Sequence, residues 1–212
     1  MPTPRFLIIS LGNPGAYADT LHSAGHIALA ALQTQLLGVQ PPFSSQRFAK
    51  KATLSSAGPK YSLLQSPTLM NVSGPWVARA YKEVLSDQGL TPGQLGLVLV
   101  HDDLEEELGV VKIRQWDKSH RGHNGVKSVN ASLRKSDYPG VHWARISVGI
   151  GRPADRDPST VSDYVLRPMS KYQKMVLNDK AGPSVLSCLT QLEDQWRREL
   201  DKAERAEKTD RK

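Results

Sequence analysis

The side chains of this 212-residue chain that could do chemistry are histidines, asparagines and acids placed where apolar runs end abruptly. Asn13 follows Phe6-Leu7-Ile8-Ile9, with Tyr17 and His22 a few residues on, and His101-Asp102-Asp103 ends the run Leu97-Val98-Leu99-Val100. Asn71 closes Pro67-Thr68-Leu69-Met70-Asn71, and Asn124 lies within Gly122-His123-Asn124-Gly125. A histidine whose far nitrogen is held by a carboxylate has a fixed tautomer and can deprotonate water near neutral pH. An asparagine offers a donor and an acceptor without charge, which suits it to grip a peptide group or stabilise an oxyanion. Three asparagines, one or two histidines and an aspartate brought together would make a water-activating hydrolase that needs no metal.

Each motif also has a plainer reading. Asn13-Pro14-Gly15 is an ordinary turn signal, and Glu105-Glu106-Glu107 reads as a solvated acidic turn. His101-Asp102-Asp103 could ligate a divalent cation, but no second carboxylate cluster in the sequence completes such a site. Gly149-Ile150-Gly151 lacks the third glycine of a dinucleotide-binding loop.

The elements that must position these residues alternate between strand and helix. Phe6–Ile9 reads as a buried strand stopped by Gly12-Asn13-Pro14-Gly15, and 23–37 as a helix with Ile27, Ala30, Ala31 and Leu37 on its apolar face. Strands follow near 49–54 and 61–65, with Gly58-Pro59 as hairpin punctuation, then a helix over 75–87 presenting Val77, Tyr81, Val84 and Leu85. Leu97–Val100 is apolar without alternation, as expected for a strand covered on both faces. Strands over 110–114 and 145–150 bracket a polar loop, 116–122, and a helix over 124–133; 170–208 is mostly helical with an interruption at Gly182-Pro183. The pattern predicts one α/β domain with a twisted mixed central sheet flanked by helices. Ligands of such sheets collect at the carboxyl ends of strands, where the candidate residues fall.

The charge is uneven. Of 28 Lys and Arg against 21 Asp and Glu, residues 112–145 hold 8 basic and 2 acidic side chains, whereas 193–212 hold 7 of each. Lys112, Arg114, Lys118, Arg121 and Lys127 surround the loop that carries Asn124, so a polyanion bound there would end beside the Asn/His set. The single cysteine, Cys188, lies on an apolar helix face; it excludes a disulfide framework or a cysteine-based zinc cluster and points to a reducing compartment. No apolar run approaches the length of a membrane span, and the short N-terminus argues against a transit peptide.

Leu11-Gly12-Asn13-Pro14-Gly15 followed by His22, Pro67 to Gly74, the strand ending His101-Asp102-Asp103, Gly122-His123-Asn124-Gly125 and Val148 to Pro153 together resemble the bacterial-type peptidyl-tRNA hydrolases. The resemblance spans about residues 6–166. It implies hydrolysis of the ester joining a peptide to the 3′ ribose of tRNA, recycling tRNA from aborted or stalled translation, with no cofactor and no metal. Carried onto this sequence, His22 is the catalytic base, Asp102 its orienting partner, and Asn13 a residue that positions water and the substrate end. Asn71 and Asn124 bind the peptide main chain and the 3′ end, with Tyr17 and Leu69 lining the same groove. Lys112, Arg114, Lys118, Arg121, Lys127 and Arg145 form the tRNA-binding set. Two departures stand out: one residue fewer separates Asn13 from His22 than is common, and Ser147 occupies the place of a second arginine that holds the tRNA terminal phosphate, shifting that work to Arg114 and Lys118. The expected protein is a cytoplasmic monomer that meets peptidyl-tRNA free or on a stalled ribosomal subunit, an organellar role remaining open. Residues 1–192 form its catalytic domain and 193–212 a charged helical extension. Two other readings keep the same residues: a non-catalytic RNA-binding scaffold, which has no need of a His22–Asp102 pair, and metal-dependent phosphoester hydrolysis at His101-Asp102-Asp103.

Overall fold

A computed structural model describes residues 5–210, with side-chain surroundings through Lys202. Residues 1–4, on which the transit-peptide expectation rests, and the side chains of 203–212, half of the expected extension, lie outside the described residues. Seven strands form one mixed sheet: β1 (Arg5–Ser10), β2 (Ser44–Phe48), β3 (Lys51–Ala57), β4 (Tyr61–Gln65), β5 (Leu95–Asp103), β6 (Val111–Gln115) and β7 (Trp143–Gly149), in the order β2-β3-β4-β1-β5-β7-β6. The four central strands β4, β1, β5 and β7 run parallel, and the outer pairings are antiparallel. β5 is buried along its whole length, as an apolar run without alternation requires.

Helices α1 (Ala24–Gln35) and α5 (Lys171–Asp210) cover one face, where Ile8, Val98, Ile146, Leu29, Leu177 and Leu189 share a core. Helices α2 (Ser73–Asp87) and α3 (Asn124–Ser132) cover the other, around Leu7, Leu97, Val77, Tyr81 and Trp143. The period-2 alternation of β1, Phe6 and Ile8 against Leu7 and Ile9, sends its side chains to both cores. From β1 the chain passes through α1 to the β2–β4 side, then returns through α2 to β5 on the far side of β1. That reversal opens a crevice at the carboxyl ends of β1, β4 and β5, which deliver Asn13, Leu69-Met70-Asn71 and His101-Asp102-Asp103.

Several expected details differ. On α1 the buried stripe is Ala28, Leu29, Ala31 and Leu32, while Leu37 is exposed, because the helix is sandwiched between the sheet and α5. β2 has a polar sequence, exposed at every position but half-buried Phe48, and carries no apolar alternation. Helix α4 (Pro158–Leu166) was equally unexpected, although Asp157, whose carboxylate accepts the N–H of Ser159 and Thr160, and Pro158 at its first position are the usual start signals. Gly182-Pro183 does not interrupt α5: Pro183 and Asp179, whose carbonyl the missing Pro183 N–H leaves without its helical partner, are both exposed, and Gly182 lets the helix lie against the Ala31 backbone. α5 also passes residue 193 unbroken, with Trp196 buried over Gly96 and stacked on Phe6 at 5.1 Å between ring centroids. Cys188 is a buried free thiol in the core, as its helix face predicts.

Candidate active site

His22 sits in a short 3-10 turn, Leu21–Ser23, that feeds α1. The Ser23 hydroxyl donates to the Tyr17 carbonyl (2.9 Å) and accepts from the Asn13 backbone N–H (3.0 Å), so the loop after β1 folds back on itself despite its shortened spacing. Gly25 then lets α1 sit directly on the strand ends: a Cβ there would lie 2.7 Å from the carbonyl oxygens of both Leu11 and Val100. This brings His22 onto Asp102, at the end of β5. Nδ1 of His22 donates to the two carboxylate oxygens at 2.9 and 3.0 Å, which leaves Nε2 without a hydrogen, as a base requires.

Burial alone would depress the His22 pKa, yet the charge of Asp102 and its hydrogen bond hold the imidazole above its ordinary value. Burial would raise Asp102, but the histidines beside it keep the carboxyl far below the usual carboxylate range. The pair is therefore a carboxylate beside an imidazole of raised basicity. His101 is the opposite case: burial, and then His123, push it down to about 3, and its Nδ1 donates to the Asp102 carbonyl at 2.7 Å. Asp103 accepts from Arg114 at 3.1 Å. His101, Asp102 and Asp103 thus point to three different tasks and do not converge on one point. The ligating atoms that do cluster among the described residues belong to His22, Asp102 and His123, within 4.8 Å of one another, and hydrogen bonds already link them.

Asn13 is buried, and its Oδ1 accepts the Met70 backbone N–H at 2.8 Å. That contact fixes the amide: oxygen toward Met70, Nδ2 left to donate to a ligand. Asn71 precedes α2 and Asn124 is the first residue of α3. These helices cross in direct contact, with the Gly74 N–H donating to Ser128 Oγ at 2.9 Å, so both asparagines reach one groove. The groove has a volume of about 1080 Å³, and Asn13, Tyr17, His22, Leu69, Asn71, Asp102 and Asn124 all line it. Tyr17 and Leu69 are about half exposed at its walls.

The basic residues separate into kinds. Arg114, Lys118, Arg121 and Arg145 line the groove, whereas Lys112 and Lys127 do not. Lys112 and Arg114 both pair with Glu106, at 2.6 and 2.5 Å, and Arg114 Nε also donates to Ser147 Oγ at 3.1 Å. The expected solvated acidic turn is therefore a counter-charge to the basic strand, since Glu105 also pairs with Arg152. Arg145 is buried, its guanidinium donating to the carbonyls of Gln115 (3.0 Å) and Lys118 (2.6 Å), where it anchors the loop. Lys118 and Arg121 make no ion pair among the described residues, and neither does Arg156, which lines the groove from beyond β7 together with Arg152. Sequence reasoning overlooked Arg152, Arg156 and, above all, His123; the Gly-His-Asn-Gly motif drew attention to Asn124, and histidine is not a usual helix-capping residue.

The peptidyl-tRNA hydrolase family profile matches residues 7–211. A curated peptidyl-tRNA hydrolase 1 of Corynebacterium jeikeium is 39% identical over 175 residues, 78% of this chain and 80% of that protein. One from Persephonella marina is 35% identical over 184 residues, 86% and 87% of the two chains. The crystal structure of peptidyl-tRNA hydrolase from Acinetobacter baumannii shares the fold, with a TM-score of 0.63 at 24% identity over 92% of this chain and 95% of that one. The chain, with its mixed seven-stranded sheet and its His–Asp pair in an asparagine-lined groove, belongs to the peptidyl-tRNA hydrolase family.

Proposed function

We propose that this enzyme cleaves the ester between a peptide and the 3′ ribose of tRNA by water that His22 activates, without a metal. The observation that carries the mechanism is the His22–Asp102 contact at 2.9 Å, beside three asparagines in one groove. Nε2 of His22 takes a proton from water as the oxygen attacks the ester carbonyl. Asn13 Nδ2, oriented by Met70, donates to the developing oxyanion. Collapse of the tetrahedral intermediate expels the ribose oxygen, which takes the proton back from His22, leaving tRNA and a peptide carboxyl group that loses its remaining proton to solvent. Asp102 stabilises the imidazolium formed in between.

Asn71 and Asn124 hold the peptide main chain and the 3′ end, and Tyr17 and Leu69 offer apolar contact beside them. On the tRNA side, the positions in the groove favour Lys118 and Arg121 as direct phosphate contacts, with Arg114 shared with its acidic partners and Arg145 acting through the loop it anchors. Lys112 and Lys127 contribute to the wider field. We take residues 1–192 as the catalytic domain, joined by the first turn of the extension, through Trp196. The protein acts as a cytoplasmic monomer on peptidyl-tRNA, free or on a stalled ribosomal subunit; its single unpaired cysteine fits a reducing compartment. No helix among the described residues is long and apolar enough to cross a membrane.

A peptidyl-tRNA cleavage assay with EDTA present, comparing wild type with His22→Ala, tests the mechanism. Wild type should release peptide, and the variant should be slower by about 10²–10⁴-fold. Full activity in His22→Ala would eliminate the base, and loss of wild-type activity in EDTA would eliminate the metal-free reading.

A further inference from the structure

Asp102 serves two histidines. Its Oδ1 lies 2.9 Å from Nδ1 of His22 and also 2.9 Å from Nε2 of His123, and the two imidazole rings are 5.0 Å apart between centroids. The role of His123 in this contact is dictated by the helix it starts. His123 is the N-cap of α3, and its Nδ1 accepts the backbone N–H of Val126 at 3.2 Å. A ring nitrogen that accepts an N–H carries no hydrogen, so the ring proton is at Nε2, where it donates to Asp102. Asn124 is the next residue, so one side chain caps the helix that presents Asn124 and contacts the carboxylate that orients His22.

A carboxylate that accepts hydrogen bonds from two rings is stabilised as an anion by both, and it gains less from a proton on either one. We propose that His123 is a positioning residue that divides the Asp102 carboxylate with His22 and, through the α3 cap, ties the strength of the base to the placement of Asn124. His123 moderates His22: without it, Asp102 would face a single imidazole and hold that ring's proton more tightly. A base with too high a proton affinity is protonated, and therefore idle, over more of the neutral range.

The other charged or titratable groups lining the groove with the cluster are Tyr17 after β1, His101 and Asp103 from β5 with Glu105 in the turn after it, Arg114 from β6, Lys118, His120 and Arg121 from the loop before α3, Arg145 from β7, and Arg152 and Arg156 beyond it. None of them hydrogen-bonds the Asp102 carboxylate among the described residues. Asp103 and Arg114 pair with each other, Arg145 is bound to main-chain carbonyls, and buried His101 stays neutral.

The inference rests on the reading of His22 as the base, and an NMR titration of the His22 ring keeps the two separable. Three proteins are compared: wild type, His123→Phe, which fills similar space without a donor, and His123→Asn, which restores a preferred N-cap. In His123→Phe the His22 midpoint should rise by about half to one pH unit, the acid limb of kcat/KM should move up with it, and KM for peptidyl-tRNA should rise several-fold. In His123→Asn, KM should return toward wild type. A His22 midpoint that stays in place in both variants, with rates lowered equally at every pH, overturns the proposal. A midpoint that moves while the acid limb stays fixed upholds the shared carboxylate and instead removes His22 as the base. A KM that Asn fails to rescue overturns the link to Asn124.

Discussion

His22 and Asp102 are 80 residues apart in the chain, and the chemistry depends on their contact being charged on one side only. The raised imidazole is the product of opposed effects, burial lowering it and the carboxylate more than compensating. Removing the negative charge while keeping the shape leaves the lowering effect alone. Asp102→Asn should therefore drop the His22 pKa and move the acid limb of kcat/KM to lower pH. Its amide can also donate to Nδ1 and force the proton onto Nε2, so kcat should fall by about 10²–10⁴-fold. An acid limb at the wild-type position would show that Asp102 does not set the base.

At the scale of elements, the groove is built by close approaches. A Cβ on Gly74 would lie 2.0 Å from the Ser128 carbonyl oxygen, so α2 and α3 can cross as they do only with glycine there. The crossing is what lets Asn71 and Asn124 act on one ligand. Gly74→Ala should force the helices apart, costing about 1–3 kcal/mol of stability by overpacking, measurable by denaturant unfolding. KM for peptidyl-tRNA should rise more than kcat falls, because the His22–Asp102 pair stands on the turn before α1 and on β5. A variant with normal KM would mean that the two asparagines do not bind together.

Over the whole molecule, the basic excess is less uniform than its total implies. Acidic side chains at the end of β5 and in the following turn offset Lys112, Arg114 and Arg152. At the groove itself, the exposed basic side chains that have no acidic partner among the described residues are Lys118 and Arg121 on one side and Arg156 on the other. If Lys118 contacts a phosphate, Lys118→Glu should weaken tRNA binding and lower the slope of log affinity against log salt by about 0.7–0.9. Lys127→Glu, outside the groove, should change the slope less. Equal slopes in wild type and Lys118→Glu would place the phosphate contacts elsewhere.

Much of this was already written in local sequence. Apolar runs stopped by glycine, proline or charge marked β1, β5 and β7, and Asn13, His101, Asp102 and Asp103, stranded beyond or at the ends of β1 and β5, line one groove, because a parallel sheet has few other places to put polar groups. Five short motifs in order were enough to indicate the family. What local pattern could not contain was anything that depends on a partner distant in the chain. β2 is a strand because β3 pairs with it, and the stripe of α1 that is buried depends on α5 lying across it. Whether a basic residue faces a phosphate or a glutamate is decided by the neighbouring strand and turn. His123 reads as a neighbour of Asn124, and only the folded chain sets it against Asp102, because a hydrogen bond requires two atoms within about 3 Å and sequence spacing says nothing of that distance across a sheet.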